Sequence, residues 1–168
     1  MTIRAARDED RDVIAAIHTA SWQDTYRGVL PAELLDDRLS GIMADRWKTQ
    51  EIGTRDVVLV AEADDGEILG FAATWVEENG GGYIDNLHVQ SSARSQGIGR
   101  SMLRERASLL LRHGVPSAYL HVVASNRRAR SLYLRLGGEL GPIEDKNLYG
   151  TIVANQRIDW SDLSILAE

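Results

Sequence analysis

Arg94-Ser95-Gln96-Gly97-Ile98-Gly99 stands between an apolar run, Tyr83 to Val89, and an amphipathic one, Gly97 to His113. The order reads as a strand, a glycine loop and the start of a helix. The first N–H groups of a helix have no intrahelical acceptor, and the helix dipole adds about half a positive charge there. A loop that drops its side chains at that point suits a phosphate. The charge distribution agrees. Nine arginines (94, 100, 104, 106, 112, 127, 128, 130, 135) and one acid, Glu105, fall between Arg94 and Arg135, a balance of +8 in a chain of net charge −6. The remainder of the chain therefore carries −14. A basic island holding a glycine loop points to an anionic ligand at one place.

Three glycine-loop chemistries compete, besides the plain alternative that these glycines only turn a strand into a helix. A Walker A loop needs Gly-Lys followed by Ser or Thr, and here Arg100 follows Gly99. A dinucleotide fingerprint needs a third glycine, and that position is Met102. The third pattern, R/Q-x-x-G-x-G/A, is met at every fixed position by Arg94, Gly97 and Gly99. A second segment, Asn126-Arg127-Arg128-Ala129-Arg130-Ser131-Leu132-Tyr133, leads into Leu136-Gly137-Gly138. It follows the loop after about one helix and one strand. With these two elements the sequence resembles the GNAT superfamily of acetyl-CoA-dependent N-acetyltransferases, which carries N-x-x-A-x-x-x-Y and then a glycine. The resemblance covers Ile3 to about Trp160. It departs at Gly138, where an aromatic is usual.

Composition sets bounds on the rest. The 168 residues suit one domain, with 43% apolar and 26% charged residues. There is no cysteine, hence no disulfide framework, thiolate nucleophile or thiolate metal site. No apolar run approaches the length of a membrane span. Met1-Thr2-Ile3-Arg4 runs straight into a strand pattern and leaves no room for a signal peptide, so the expected address is the cytoplasm. A pI near 5.2 argues against a nucleic-acid binder.

Along the chain, Thr2 to Ala6 reads as a strand. Asp8 is expected to cap a helix to about Thr25 with Val13, Ile14, Ile17 and Ala20 inward. A short turn of helix follows from Pro31 to Leu35, then a helix from Gly41 to Glu51. Val57–Ala63 and Glu67–Glu77 are strands joined by the Asp64-Asp65-Gly66 turn. Tyr83–Val89 leads to the glycine loop. The helix from Gly97 buries Ile98, Met102, Leu103, Leu110 and Leu111 and ends at His113-Gly114. Ser117–Val123 is a strand, Asn126–Leu136 a helix, and strands near Ile143 and from Tyr149 to Ile158 finish the chain. Composition and periodicity alone imply an α/β chain with a mixed sheet. The resemblance implies a single GNAT-like domain over 1–168, α/β in the mixed α+β sense, with a central, mostly antiparallel mixed sheet flanked by helices.

The resemblance also assigns roles. Backbone amides of Ser95, Gln96, Gly97, Ile98, Gly99 and Arg100 would hold the pyrophosphate of acetyl-CoA, with charge from Arg94 and Arg100. Leu87, His88 and Val89 would pair through their backbone with the pantetheine arm. Asn126, which also suits a helix N-cap, and Arg130 would reach the cofactor from the second segment. Tyr133 would hydrogen-bond the leaving thiolate. An amine attacks a thioester only when neutral, which at pH 7 costs about 4.6 kcal/mol for a pKa of about 10.4, so a proton acceptor is useful. Asp85, an acid within an apolar strand, is the first candidate. His88 has suitable chemistry, but strand alternation puts it on the other face. Trp22, Asp24, Tyr26, Glu77, Glu78 and Asp85 suit an acidic, aromatic-lined place for a cationic amine. The expected activity is direct acetyl transfer from acetyl-CoA to a small-molecule or peptide amine, without metal, nucleic acid or membrane partners. A homodimer is an allowed assembly, and a non-catalytic CoA-binding sensor of the same fold is the alternative.

Overall fold

The computed structural model describes residues 1–167. The strands are β1 (Thr2–Ala5), β2 (Val57–Glu62), β3 (Ile68–Val76), β4 (Gly82–Val89), β5 (Ala118–Val123), β6 (Glu139–Leu148) and β7 (Thr151–Trp160). The helices are α1 (Arg11–Tyr26), α2 (Leu39–Thr49), α3 (Ile98–Arg112), α4 (Arg127–Arg135) and the short α5 (Ser164–Ala167). One seven-stranded sheet runs in the order β1-β2-β3-β4-β5-β7-β6. β4 and β5 are parallel, while β1/β2, β5/β7 and β6/β7 are antiparallel. The mixed sheet expected from the sequence is present.

The chain packs as two compact units. The first comprises Met1–Ile52, Val57–Ala73 and Asn86–Met102. Its core joins Ile14 and Ile17 of α1 to Leu39, Met43 and Trp47 of α2 and to Phe71 of β3, all nearly inaccessible. Each such side chain contributes roughly 1.5–3 kcal/mol of burial. A second cluster, Ala61, Ala72, Ala93, Ile98 and Met102, takes Leu87 and Val89 against it. The other unit comprises Gly53–Asp56, Thr74–Asp85 and the chain from Leu103 onward. Its core holds Leu103, Ala107 and Leu110 of α3, Leu120 and Val122 of β5, and Ile158 and Trp160 of β7.

Several local expectations are corrected. Asp8 does not cap α1. It lies in a 3-10 turn, Asp8–Asp10, and pairs with Arg11 at 2.9 Å. Buried Asp10 organises this end: it accepts the Arg7 N–H at 2.7 Å and both arms of the Arg4 guanidinium at 2.7 and 3.0 Å. The hydrogen bond from Arg4 is the main reason its carboxyl is held below the usual carboxylate range. Ala20 of α1 and Leu111 of α3 face solvent rather than core. A five-residue π-helical stretch, Leu34–Arg38, precedes α2, which starts at Leu39 rather than Gly41.

The last hairpin is longer than its sequence suggests. Tyr149 and Gly150 both take positive φ (50° and 91°) and make the two-residue turn between β6 and β7. Tyr149 is thus turn, not strand. β6 includes Pro142, and the β6/β7 register shifts between Leu140 and Ile143. Proline lacks the N–H the ladder needs, and the strand lies at the sheet's edge, where such an interruption is tolerated.

Candidate functional site

In the first unit the glycine loop opens α3. Ser95 and Gly97 have φ of 68° and 80°, a left-handed conformation that favours glycine at 97. The Ser101 N–H reaches the Gly97 carbonyl at 3.0 Å, so the N–H groups of Ile98, Gly99 and Arg100 precede the helix's own ladder. A Cβ on Gly97 would meet nothing within 4 Å, and one on Gly99 only Val89 Cγ2 at 3.9 Å. Packing does not require glycine at 99, and its absence of a side chain leaves clear space before the helix start. Ile98 and Ala93 anchor the loop from beneath, in the cluster that also receives Leu87 and Val89.

Arg94 is committed to the protein: its Nε donates to the Val89 carbonyl at 3.2 Å and its Nη2 to Asp24 at 2.9 Å. Asp24 therefore stands by the loop as the partner of Arg94. Both side chains are exposed, so this pair adds little to stability. Trp22 and Tyr26, one turn apart on α1, lie with ring centres 4.7 Å apart and are half-buried. His88 points away from Leu87 and Val89, as alternation requires. Its Nδ1 lies 2.6 Å from Ser21 Oγ and its Nε2 3.3 Å from Asn86 Oδ1. The ring packs on His18 at 4.9 Å and Phe71 at 5.2 Å. His18 is almost inaccessible, and burial first, then His88 and Arg46, depresses its pKa to about 2.

In the second unit, Asp85 accepts the Trp75 indole N–H at 2.8 Å, both residues being half-buried. Tyr83 pairs with Tyr119 across β4/β5 and the rings stack at 5.2 Å. Alternation puts Asp85 and His121 on the same face as this pair. Tyr119 donates to Glu77 at 2.8 Å, and the Arg157 guanidinium covers its ring at 3.8 Å. Burial, then the bond to Glu77, pushes the Tyr119 phenol up to about 12. His121 meets Glu144 at 3.1 Å. A recess of about 720 Å³ adjoins this wall, lined among others by Glu77, Tyr119, Glu139, Arg157 and Asp159.

α4 packs on Trp160 of β7, which points to the opposite face of the sheet from Tyr119. Asn126 caps it, its Oδ1 accepting the Ala129 N–H at 3.1 Å. Arg130 donates from Nη1 to the Ala124 carbonyl at 3.2 Å, while its buried Nε makes no hydrogen bond among the described residues. Tyr133 meets Trp160 edge-on with centres 6.0 Å apart. Burial raises the Tyr133 phenol, and the nearby Arg106 guanidinium opposes that rise. Arg106 is itself buried, which lowers its pKa to about 10. It is thus part of the interior rather than of an exposed basic island. Gly138 has a physical reason: a Cβ there would meet Ile158 Cγ2 at 2.6 Å and Trp160 Cζ2 at 2.9 Å. Trp160 fills the space that an aromatic at 138 would need.

Sequence reasoning missed the partners of these residues. Ser21 and Asn86 hold His88, Trp75 holds Asp85, and Tyr119, His121 and Arg157 form the aromatic wall. Alternation of Tyr119 and His121 along β5 was the available signal for the wall. Spacing of Arg106 with Met102, Leu103 and Leu110 was the signal for its burial. Ser21 and Trp75 gave none without tertiary contacts.

Comparison with known proteins adds three findings. A family model described as "Acetyltransferase (GNAT) family" matches residues 14–138. An uncharacterized N-acetyltransferase of Bacillus subtilis (strain 168), YuaI, is 28% identical over 170 residues, covering 99% of this chain and 96% of the relative. Among solved structures, a ribosomal-protein-alanine N-acetyltransferase from Brucella melitensis superposes with a TM-score of 0.72 at 22% identity, covering 95% of this chain and 99% of that one. The Salmonella typhimurium protein yncA, solved with its cofactor acetyl-CoA, gives 0.70 at 19% identity, covering 97% and 94%. The two structural likenesses show the shared fold.

Proposed function

The chain belongs to the GNAT acetyltransferase family, and from that premise we propose that it transfers an acetyl group from acetyl-CoA directly to a primary amine of a small molecule or peptide. The observation that carries this reading is the open start of α3, where Gly97 and Gly99 carry no side chain and that of Ile98 is buried. The N–H groups there suit a pyrophosphate, and Arg100 adds exposed charge. Leu87, His88 and Val89 offer backbone to an amide-bearing arm, and the Leu87 and Val89 side chains pack on the cluster beneath the loop. Asn126 and Arg130 serve the cofactor from α4, Arg130 with a buried Nε that lacks an acceptor. Arg94 contributes less, because Asp24 already takes its charge.

Acetyl-CoA supplies the thioester. Asp85 accepts the proton of the attacking amine, oriented by the Trp75 indole. Tyr133 hydrogen-bonds the departing sulfur. A free phenol is about 1.5 units a weaker acid than a thiol, and burial of Tyr133 widens that gap. It therefore acts as a donor that stabilises charge rather than as a full proton source. Glu77 and Asp85 are assigned to the acceptor for their charge, and Trp22 and Tyr26 for ring faces that favour a cation. We assign the reaction to the cytoplasm.

The test is a screen of amines, amino acids and peptide N-termini with acetyl-CoA and free-thiol detection. An amine-dependent release of thiol with an acetylated product supports the proposal. Tight CoA binding with no turnover of any amine would indicate a sensor.

A further inference from the structure

We propose that Ser21 is an acylation site of this protein: in the absence of an acceptor amine its hydroxyl takes an acyl group from a thioester or activated ester, with His88 as base and Asn86 holding the His88 ring. The three side chains are built as a nucleophile, a base and an orienting group. Ser21 Oγ lies 2.6 Å from His88 Nδ1, and His88 Nε2 lies 3.3 Å from Asn86 Oδ1. An amide oxygen only accepts, so the Nε2 carries the proton and Nδ1 presents its lone pair to the Ser21 hydroxyl. Asn86 and His88, two apart on β4, share a face. Asn86 is only 3% exposed, while Ser21 is half-buried and reachable. His18 packs on the His88 ring and, buried, stays neutral near pH 7, so it adds no fixed positive charge against a proton on His88.

The step balances. A bond forms between Ser21 Oγ and the acyl carbon, and the bond from that carbon to the thioester sulfur, or to the leaving oxygen of an activated ester, breaks. The hydroxyl proton passes to His88 Nδ1 and from there to the departing thiolate, or with p-nitrophenyl acetate to the departing phenolate or to water, which returns the neutral imidazole. For acetyl-CoA as donor the inference rests on the proposed run of the pantetheine arm along Leu87–Val89, the strand that carries His88.

Mass spectrometry of the intact protein and its peptides tests this after incubation, without amine, with acetyl-CoA or with p-nitrophenyl acetate. The second donor needs no CoA site. One acetyl group on Ser21 is expected with both donors, absent in Ser21→Ala and formed roughly a hundredfold more slowly in His88→Gln. Asn86→Ala should slow acylation and Asn86→Asp restore it. A purely structural Asn86 predicts the reverse, since a buried carboxylate is the more damaging change. Acylation by p-nitrophenyl acetate alone would support Ser21 and contradict the placement of the acetyl-CoA thioester. Ser21 unmodified by both donors, or modified equally in His88→Gln, would overturn the proposal.

Discussion

The Trp75 indole N–H donates to the Asp85 carboxylate across 2.8 Å, from one strand of the sheet to another. The bond fixes the carboxylate's orientation, which an acid in proton transfer needs. Trp75→Phe keeps a ring and removes the donor. We expect kcat to fall about tenfold, the equivalent of about 1.4 kcal/mol, with little change in KM for acetyl-CoA. Asp85→Asn should cost more, chiefly at low pH where less amine is already neutral, and the deficit should shrink as pH rises. Rate–pH profiles of the two variants check this; a pH-independent deficit in Asp85→Asn would make Asp85 a positioning group.

Tyr133→Phe removes only the hydroxyl. Turnover should fall on the order of 10²-fold, while acetyl-CoA affinity holds because the ring still packs on Trp160. The loss should be smaller with an acyl donor whose thiol is more acidic. Steady-state kinetics with two donors and calorimetry of acetyl-CoA binding measure both; a matched loss of affinity and rate would make Tyr133 structural.

Gly97→Val places a β-branched residue at a φ of 80°. A Cβ there meets no neighbour, so the cost is backbone strain of order 1–3 kcal/mol, or a loop that moves to relieve it. Either outcome misaims the N–H groups at the helix start. Calorimetry should show acetyl-CoA affinity reduced at least about tenfold in protein that still melts cooperatively.

His18 makes stability depend on pH. Its pKa is depressed from 6.5 to about 2 in the folded chain, by burial above all. Between those values the unfolded chain binds a proton that the folded one refuses. The contribution is complete above pH 6.5 and is lost as pH falls toward about 2, by at most about 1.4 kcal/mol per unit. His18→Gln keeps an acceptor for the Trp47 indole, which donates to His18 Nδ1 at 3.0 Å, and cannot titrate. Its melting temperature should vary less than that of the wild type between pH 7 and 4.

Much of this was legible in the sequence, for stated reasons. Apolar runs bounded by Asp-Gly and glycine turns mark the strands in succession along the chain, but not their order in the sheet, where β7 lies between β5 and β6. The loop at Gly97 was legible because both its glycines and the helix pattern after it are local. Residues whose role depends on a distant partner were not legible. Ser21 meets His88 across 67 positions of sequence. Asn126 reads as a helix cap, which its bond to Ala129 bears out, and as a cofactor group, which that bond leaves open. Arg106 belongs to the basic run in sequence, yet its helical spacing from Met102 and Leu110 points inward, where the structure buries it. Gly138 was a departure from pattern until Trp160 was found in the space an aromatic would take.

Direct transfer requires protein, acetyl-CoA and amine to meet in one complex. Initial rates of thiol release decide this, with acetyl-CoA varied at several fixed concentrations of the best amine. Direct transfer predicts double-reciprocal lines that intersect, and thiol release beyond one equivalent per protein only when the amine is present. Parallel lines would contradict it and put an acyl-enzyme on the path.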